Sequence, residues 1–505
     1  MLEESLYEHF GFTTFRPGQK EIIASLLDGH NTLGMLPTGS GKSLCYQLTA
    51  YLLQKPVVIV SPLLSLMQDQ AEQLRLMGEK SVLALNSFLD PRQKRASLQH
   101  IKKYRFIFLS PEMLAGESVI RALKDLDIGL FVIDEAHCIS QWGYDFRPDY
   151  LSLGHVRKKL SNPLTLALTA TATKEVREDI EKQLCLDYVR QITSSVDRGN
   201  IALAVETLQG HEGKLHRLLE LAREIDGPGI VYFSSKKAAE HTAIYLKEHG
   251  IENVAFYHGG MEQEQRIIIQ RQFLNGQLRI ICSTSAFGMG VNKEDVRFVV
   301  HFHLPSGMEA YVQEIGRAGR DGKQSVAIIL YSEGDEGLPL HLFEQELPTE
   351  VQLEGIFSYL NFETVILGKV PEAVEETIIR QFSLNETQWR FIKHFIRLNI
   401  QKYTGTQLKD AMKRYVAERR EYKTEKLHLF FRWLGSNGCL RNGLLRYFDE
   451  EPAPRNTQCC TNCGLSRGFT EKLQVKESGK AADSYTGWKQ ELAKILLKAE
   501  DSHEK

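Results

Sequence analysis

The chain has 505 residues, with 62 Lys and Arg against 64 Asp and Glu and a formal net charge of −2. That length holds two to four domains, each large enough for a full core, and the near-neutral balance excludes a globally basic nucleic-acid binder, so any such surface must be a local patch. Eight cysteines are too sparse for a secreted disulfide framework, no apolar run is long enough to span a membrane, and Met1 to Phe10 lacks the basic and apolar regions of a signal peptide, so the expected location is the cytoplasm.

In chain order, Phe15-Arg16-Pro17-Gly18-Gln19 leads into the amphipathic run Lys20 to Leu27. Gln19 stands some twenty residues ahead of a glycine-rich loop. Its amide carries the donor and acceptor that an adenine edge requires, and it also reads as an ordinary solvated helix residue. The loop itself is Leu33 to Ser43, where an apolar segment meets Thr38-Gly39-Ser40-Gly41-Lys42-Ser43 and then an apolar–polar run to Leu53. Strand, glycine loop and helix in that order form a phosphate cradle: successive N–H groups curl round an anion at the positive end of a helix. Lys42 can reach the terminal phosphates and Ser43 can take a place on Mg²⁺. The first glycine of the full motif is replaced by Leu36, so a plain helix-capping turn remains the competing reading of this stretch.

Short β-branched runs then alternate with helical patterns. Val57 to Val60, Phe106 to Leu109, Gly129 to Ile133 and Leu164 to Leu168 read as buried strands, each followed by a polar cluster. A helix is predicted from Leu63 to Met77. The alternation restarts with Gly229 to Phe233, Val254 to Tyr257, Arg279 to Cys282 and Phe298 to His301. This predicts two doubly wound parallel-sheet lobes, with ligands at the carboxyl ends of the strands. The expected divisions are a first lobe at 1–205, a second at 206–335, a helical module at 336–470 and a short polar tail at 471–505; the polar stretch Gln209 to Lys214 is expected near the hinge. In the third part, helical periodicity appears in Glu350 to Leu360, Val374 to Phe382, Glu386 to Leu398, Gln407 to Tyr415 and Glu425 to Leu434. Residues 401–446 carry eleven Lys and Arg against four Asp and Glu, a solvated face or a nucleic-acid surface.

Four constellations carry chemistry. Asp134-Glu135 at a strand end supplies a Mg²⁺ ligand, Asp134, and a group to orient or deprotonate water, Glu135. Arg317 and Arg320, in Gly316-Arg317-Ala318-Gly319-Arg320, suit the charge on a transferring phosphoryl group. They lie in the second lobe while Lys42 lies in the first, so the ATP site completes itself only when the lobes close, which couples hydrolysis to motion. The loop from His137 through Trp142, Tyr144, Phe146 and Arg147 to Tyr150 reads as a stacking platform for unpaired bases or as an aromatic satellite core. Cys460 and Cys463 have metal-knuckle spacing, and Cys439 and Cys459 complete a candidate thiolate set for Zn²⁺.

These residues together resemble the RecQ family of superfamily 2 DNA helicases over about residues 1–335, and more loosely to about 466. Phe10 to Gln19 is similar to the family's adenine-reading motif, which implies roles for Arg16 and Gln19. Thr38 to Ser43 resembles its phosphate-loop motif, which tolerates a residue such as Leu36 at its start. Asp134-Glu135-Ala136-His137 matches the DEAH box, and 137–150 matches the aromatic-rich loop. Thr169 to Thr171, Ala286 to Asn292 and Gln313 to Arg320 resemble later motifs. The resemblance implies ATP-driven 3′-to-5′ unwinding of DNA in repair or recombination, with ATP and Mg²⁺, single- and double-stranded DNA as partners, a coupling role for His137, Trp142, Phe146 and Arg147, and a monomer associated with the nucleoid. The family's last zinc cysteine falls at Ser466 here, with Cys459 as the substitute. About 40 residues follow Cys463, too few for the usual winged helix and HRDC domain, so a short, RecS-like form is implied. An RNA helicase and an ATP-hydrolysing switch that binds nucleic acid without unwinding are the rival readings.

Overall fold

Aliphatic and β-branched runs of four to seven residues set the frame. The computed structural model describes residues 2–86, 89–114, 116–140, 147–288, 293–360, 372–400, 402–403, 405–452 and 458–465. Seven strands form the first sheet: β1 (Thr32–Met35), β2 (Val57–Val60), β3 (Val82–Leu85), β4 (Phe106–Leu109), β5 (Leu130–Ile133), β6 (Thr165–Thr169) and β7 (Arg190–Thr193). Their order is β3-β4-β2-β5-β6-β1-β7, and every pairing is parallel. Val57 to Val60 and Phe106 to Leu109 are wholly buried because helices cover both faces, as a parallel sheet demands.

The second sheet holds β8 (Ile201–Thr207), β9 (Gly229–Tyr232), β10 (Val254–Tyr257), β11 (Ile280–Ser283), β12 (Phe298–His301) and β13 (Ser325–Tyr331), in the order β10-β11-β9-β12-β13-β8, again all parallel. The expected lobe division at 205/206 falls inside β8, which pairs along its full length with β13, so the second sheet begins at Ile201. The connector is 194–200, and Gln209 to Lys214 instead opens the helix Gly210–Glu224. There Lys214 is buried, donating to the Phe302 carbonyl at 3.0 Å and pairing with Asp335.

The third part is helical, and its helices Glu350–Tyr359, Glu372–Gln381, Glu386–Asn399 and Gly405–Leu434 share a core around Leu353, Ile356, Ile392, Leu408 and Met412. Capping boxes at Thr349/Gln352 and Asn385/Gln388 start two of them. The two helices predicted at 407–415 and 425–434 are one helix of 30 residues. The intervening segment 416–424 has neither Gly nor Pro, and nothing in it stops propagation. Much of the basic run is spent within the protein: Lys409 and Lys413 pair with Glu354, Lys423 with Glu346, Lys426 with Glu309 and Arg441 with Asp197. The end of the long helix packs on the second lobe, with Trp433 5.1 Å from the Tyr311 ring centroid. Among the described residues no helix is long and apolar enough to cross a membrane.

Candidate active site

The glycine loop leaves the carboxyl end of β1, between β6 and β7. Gly39 and Gly41 take φ of +83° and +76°, values that L side chains avoid, and Gly41 caps the helix Lys42–Leu53. Gln19 is buried beneath this loop. Its Nε2 donates to the carbonyl oxygens of Ser40 (2.8 Å) and Gly41 (3.0 Å), while its Oε1 accepts from the Arg16 N–H at 2.8 Å. Both amide hydrogens are therefore committed to the phosphate loop, and reading an adenine edge would exchange these bonds. Arg16 donates through Nη1 to the Gly39 carbonyl.

Asp134 and Glu135 follow β5, and both are buried. Glu135 adopts φ of +47°, a strained value for a side chain with a Cβ, which turns its carboxylate toward Lys42 at 3.9 Å. Burial, with Glu135 alongside, pushes the Asp134 pKa up to about 7 against the pull of Lys42. A buried carboxylate so disfavoured is suited to a divalent cation, and Ser43 lines the same cleft. His137 is fully buried; its Nδ1 lies 3.0 Å from Thr169 Oγ and 3.5 Å from Glu135 Oε2. It thus joins the ends of β5 and β6.

The second lobe closes the cleft, whose volume is about 570 Å³. Arg317 and Arg320 line it beside Thr38, Gly39, Gly41, Lys42, Ser43, Asp134 and Glu135, so the site residues predicted from the two halves of the chain meet. Arg317 Nη1 donates to the Gly288 carbonyl, while its Nε is buried with no hydrogen-bond partner among the described residues, as is the Ser40 hydroxyl. Burial, then Arg317 and Arg198, push the Arg320 pKa down to about 9. Crowded guanidiniums and orphaned donors fit a polyanion. Arg198, which carries no motif, reaches carbonyls on both lobes. A second bridge runs from Gln270 Nε2 to Asp69 Oδ2 at 3.0 Å. Sequence reading missed both: a guanidinium on backbone carbonyls leaves no pattern of residue types, and an amide–carboxylate pair 201 residues apart leaves no local spacing.

Of the aromatic segment, Trp142 and Phe146 lie outside the described residues. Arg147 donates to the Pro62 carbonyl at 2.7 Å, and the buried Tyr150 hydroxyl donates to the Asp134 carbonyl at 3.2 Å. Arg147 and Tyr150 are thereby held at the carboxyl ends of β2 and β5.

Cys439, Cys459, Cys460 and Cys463 converge so that their sulfurs lie within 4.8 Å of one another. Burial opposes ionisation of Cys439, but hydrogen bonds from the Asn442 backbone and the neighbouring thiols outweigh it and hold its pKa below the usual thiol value. Burial, then bonds shared with Cys439 and Cys460, push Cys463 up to about 12. One thiolate discourages the next; a shared dication lets all four ionise, which is the chemistry of a structural Zn²⁺ site. Cys459 supplies the fourth sulfur of this cluster.

The model of the DEAD/DEAH box helicase family matches residues 16–179, and that of the helicase conserved C-terminal domain matches 213–322. The chain is 46% identical to the probable ATP-dependent DNA helicase RecS of Bacillus subtilis (strain 168) over 98% of each chain. It is 37% identical to the ATP-dependent DNA helicase RecQ of the same organism, over 70% of this chain and 60% of that one. The Mycobacterium smegmatis helicase Lhr, solved with ssDNA and AMP-PNP, shares the fold with a TM-score of 0.56 at 20% identity, over 80% of this chain and 57% of that one. With both halves of the nucleotide cleft assembled and the match to RecS running end to end, the chain belongs to the RecQ family of superfamily 2 helicases, as a short, RecS-like ATP-dependent DNA helicase.

Proposed function

We propose that the protein unwinds duplex DNA with 3′-to-5′ polarity, in repair or recombination, as a cytoplasmic, nucleoid-associated monomer. The observation that carries the motor reading is the packing of Arg320 on Gly39, which makes the catalytic cleft a joint property of two lobes. The first lobe ends at the connector 194–200, the second runs to about 335, and the helical module follows.

ATP is held by Arg16 and Gln19 at its base end and by the 38–43 loop at its phosphates. Lys42, Arg317 and Arg320 stabilise charge on the transferring phosphoryl group. Ser43 and Asp134 hold Mg²⁺, which when bound neutralises charge on the phosphates. Glu135, oriented by Lys42 and His137, positions the attacking water and takes its proton. Strand binding at the aromatic segment acts on Glu135 through the short connection that Tyr150 and Arg147 anchor. Cys439, Cys459, Cys460 and Cys463 hold Zn²⁺ as a structural staple.

The test is strand separation on a forked duplex, run beside ATPase with and without single-stranded DNA. The expected result is unwinding that requires a 3′ single-stranded arm. Lys42→Ala should lower turnover by more than ~100-fold, since one donor at the developing charge contributes ~3 kcal/mol, while nucleotide-free DNA binding persists. DNA-stimulated ATPase without strand separation would favour the switch, and separation of RNA duplexes alone would favour an RNA helicase.

A further inference from the structure

Residues 194–200 link the last strand of the first sheet to the first strand of the second, and one of them touches both halves of the cleft. Arg198 Nη1 donates to the carbonyl oxygens of Thr38 and Gly316, each at 3.1 Å. Its Nη2 donates to those of Ala318 at 3.0 Å and Gly319 at 2.7 Å. Thr38 belongs to the phosphate loop; the other three carbonyls belong to the loop that carries Arg317 and Arg320. A guanidinium suits this task, because its rigid planar fork can serve acceptors in two directions at once. The two loops are already close: a Cβ on Gly316 would stand 2.9 Å from Thr38 Cβ.

The connector is itself gripped from the third module. Arg441, two residues past Cys439, donates to the Arg198 carbonyl at 3.1 Å, to the Ile201 carbonyl and to the Asp197 carboxylate. Glu450 accepts from the Val196 N–H at 2.8 Å. Asn200 Nδ2 adds bonds to the carbonyls of Gly319 (2.8 Å) and Lys323 (2.9 Å). A linker tied at so many points transmits position, where a slack tether would not.

We propose that Arg198 is a positioning residue that sets the spacing between the phosphate loop and the arginine loop, seated from the four-cysteine module by Arg441. This rests on the ATP-site reading above. A nucleotide ending at the β-phosphate is held by the phosphate loop. A γ-phosphate must also meet Arg317 and Arg320, so it alone senses the spacing. The role is therefore visible as a change in discrimination between two nucleotides.

The experiment measures affinities of ADP and of a non-hydrolysable ATP analogue by calorimetry, with the full-length wild type, Arg198→Ala and Arg198→Lys. In Arg198→Ala the analogue should bind about tenfold more weakly, or about 1.4 kcal/mol, while ADP stays within about twofold. Arg198→Lys should fall between, since one ammonium cannot serve four carbonyls, and it carries the test if the alanine variant does not fold. Arg441→Lys should shift the ratio in the same direction with zinc content unchanged. An analogue-to-ADP ratio equal to wild type in folded Arg198 variants overturns the proposal, even where both affinities drop together. A wild type that binds neither nucleotide overturns the site assignment itself, and the proposal with it.

Discussion

Arg320 of the second lobe lies across the α-carbon of Gly39 in the first: a Cβ at Gly39 would stand 2.8 Å from Arg320 Cγ and 2.9 Å from Cδ. The approach needs a residue without a side chain, and the +83° φ needs one as well. Gly39→Ala should therefore leave the melting temperature within a few degrees of wild type, because the contact joins lobes and lies outside either core. ATP turnover should drop by at least ~10-fold, as strain and displacement of the arginine each cost about 1 kcal/mol. Turnover near wild type would mean that the closed contact is not used in catalysis.

The Asp134 carboxyl gives a pH signature. Its pKa is raised from 3.8 to about 7 by burial and by Glu135. The folded chain thus holds this proton more tightly than the unfolded one. That contribution to stability is complete below the ordinary carboxylate value and is lost as pH rises through about 7. A dication competes with the proton, so Mg²⁺ should raise the melting temperature more at about pH 8 than at about pH 6. On the acid side of 7, kcat/KM for ATP should fall by about tenfold per pH unit. Equal Mg²⁺ gains at both values would assign the metal to other ligands.

Purified protein should contain about one zinc per chain by elemental analysis. Cys460→Ser should release it and lower the melting temperature, because Cys460 is buried and its sulfur accepts the Leu440 N–H at 3.4 Å. Folded protein free of zinc, with a harmless Cys460→Ser, would make the cluster a packing motif.

Trp142→Ala should keep basal ATPase near wild type and remove most of the stimulation by single-stranded DNA. The argument combines sequence position with Arg147 and Tyr150, which tie the end of the segment to Pro62 and Asp134. Stacking on an aromatic ring contributes ~1–3 kcal/mol per base, enough to bias a loop by about tenfold. ATPase that still climbs to the wild-type plateau with added DNA would sink the coupling role.

Where a segment must be buried on both faces, its residues say so. Val57 to Val60, Phe106 to Leu109 and Phe298 to His301 are strands over the predicted residues, because a covered parallel strand is almost wholly apolar; Val254 to Tyr257, an edge strand half-buried in its middle, is marked by its β-branched and aromatic residues. Arg190–Thr193 escaped notice for the converse reason: it is an edge strand, largely exposed, and its residues read as loop. The long helix was divided because its charged middle lacks apolar periodicity, whereas helix propagation needs only the absence of a breaker. Lys42, Asp134, Glu135, Arg317 and Arg320 were legible as chemistry. Their meeting in one cleft followed from topology, and Arg198 was hidden because backbone carbonyls are the same in every residue.

The cysteine module also ends a sheet. β8 is the outermost strand of the second sheet, and its free side is met by the Cys459 carbonyl at Leu203 N–H (3.1 Å) and by Thr461 Oγ at Val205 N–H (3.0 Å). An edge strand with Ile201, Leu203 and Val205 along it is a template for pairing with another chain. On the zinc reading proposed above, chelation would loosen the cover over that template, which lies outside both nucleotide-binding cores. Chelated protein should accordingly be lost to concentration-dependent aggregation, which light scattering against protein concentration would detect.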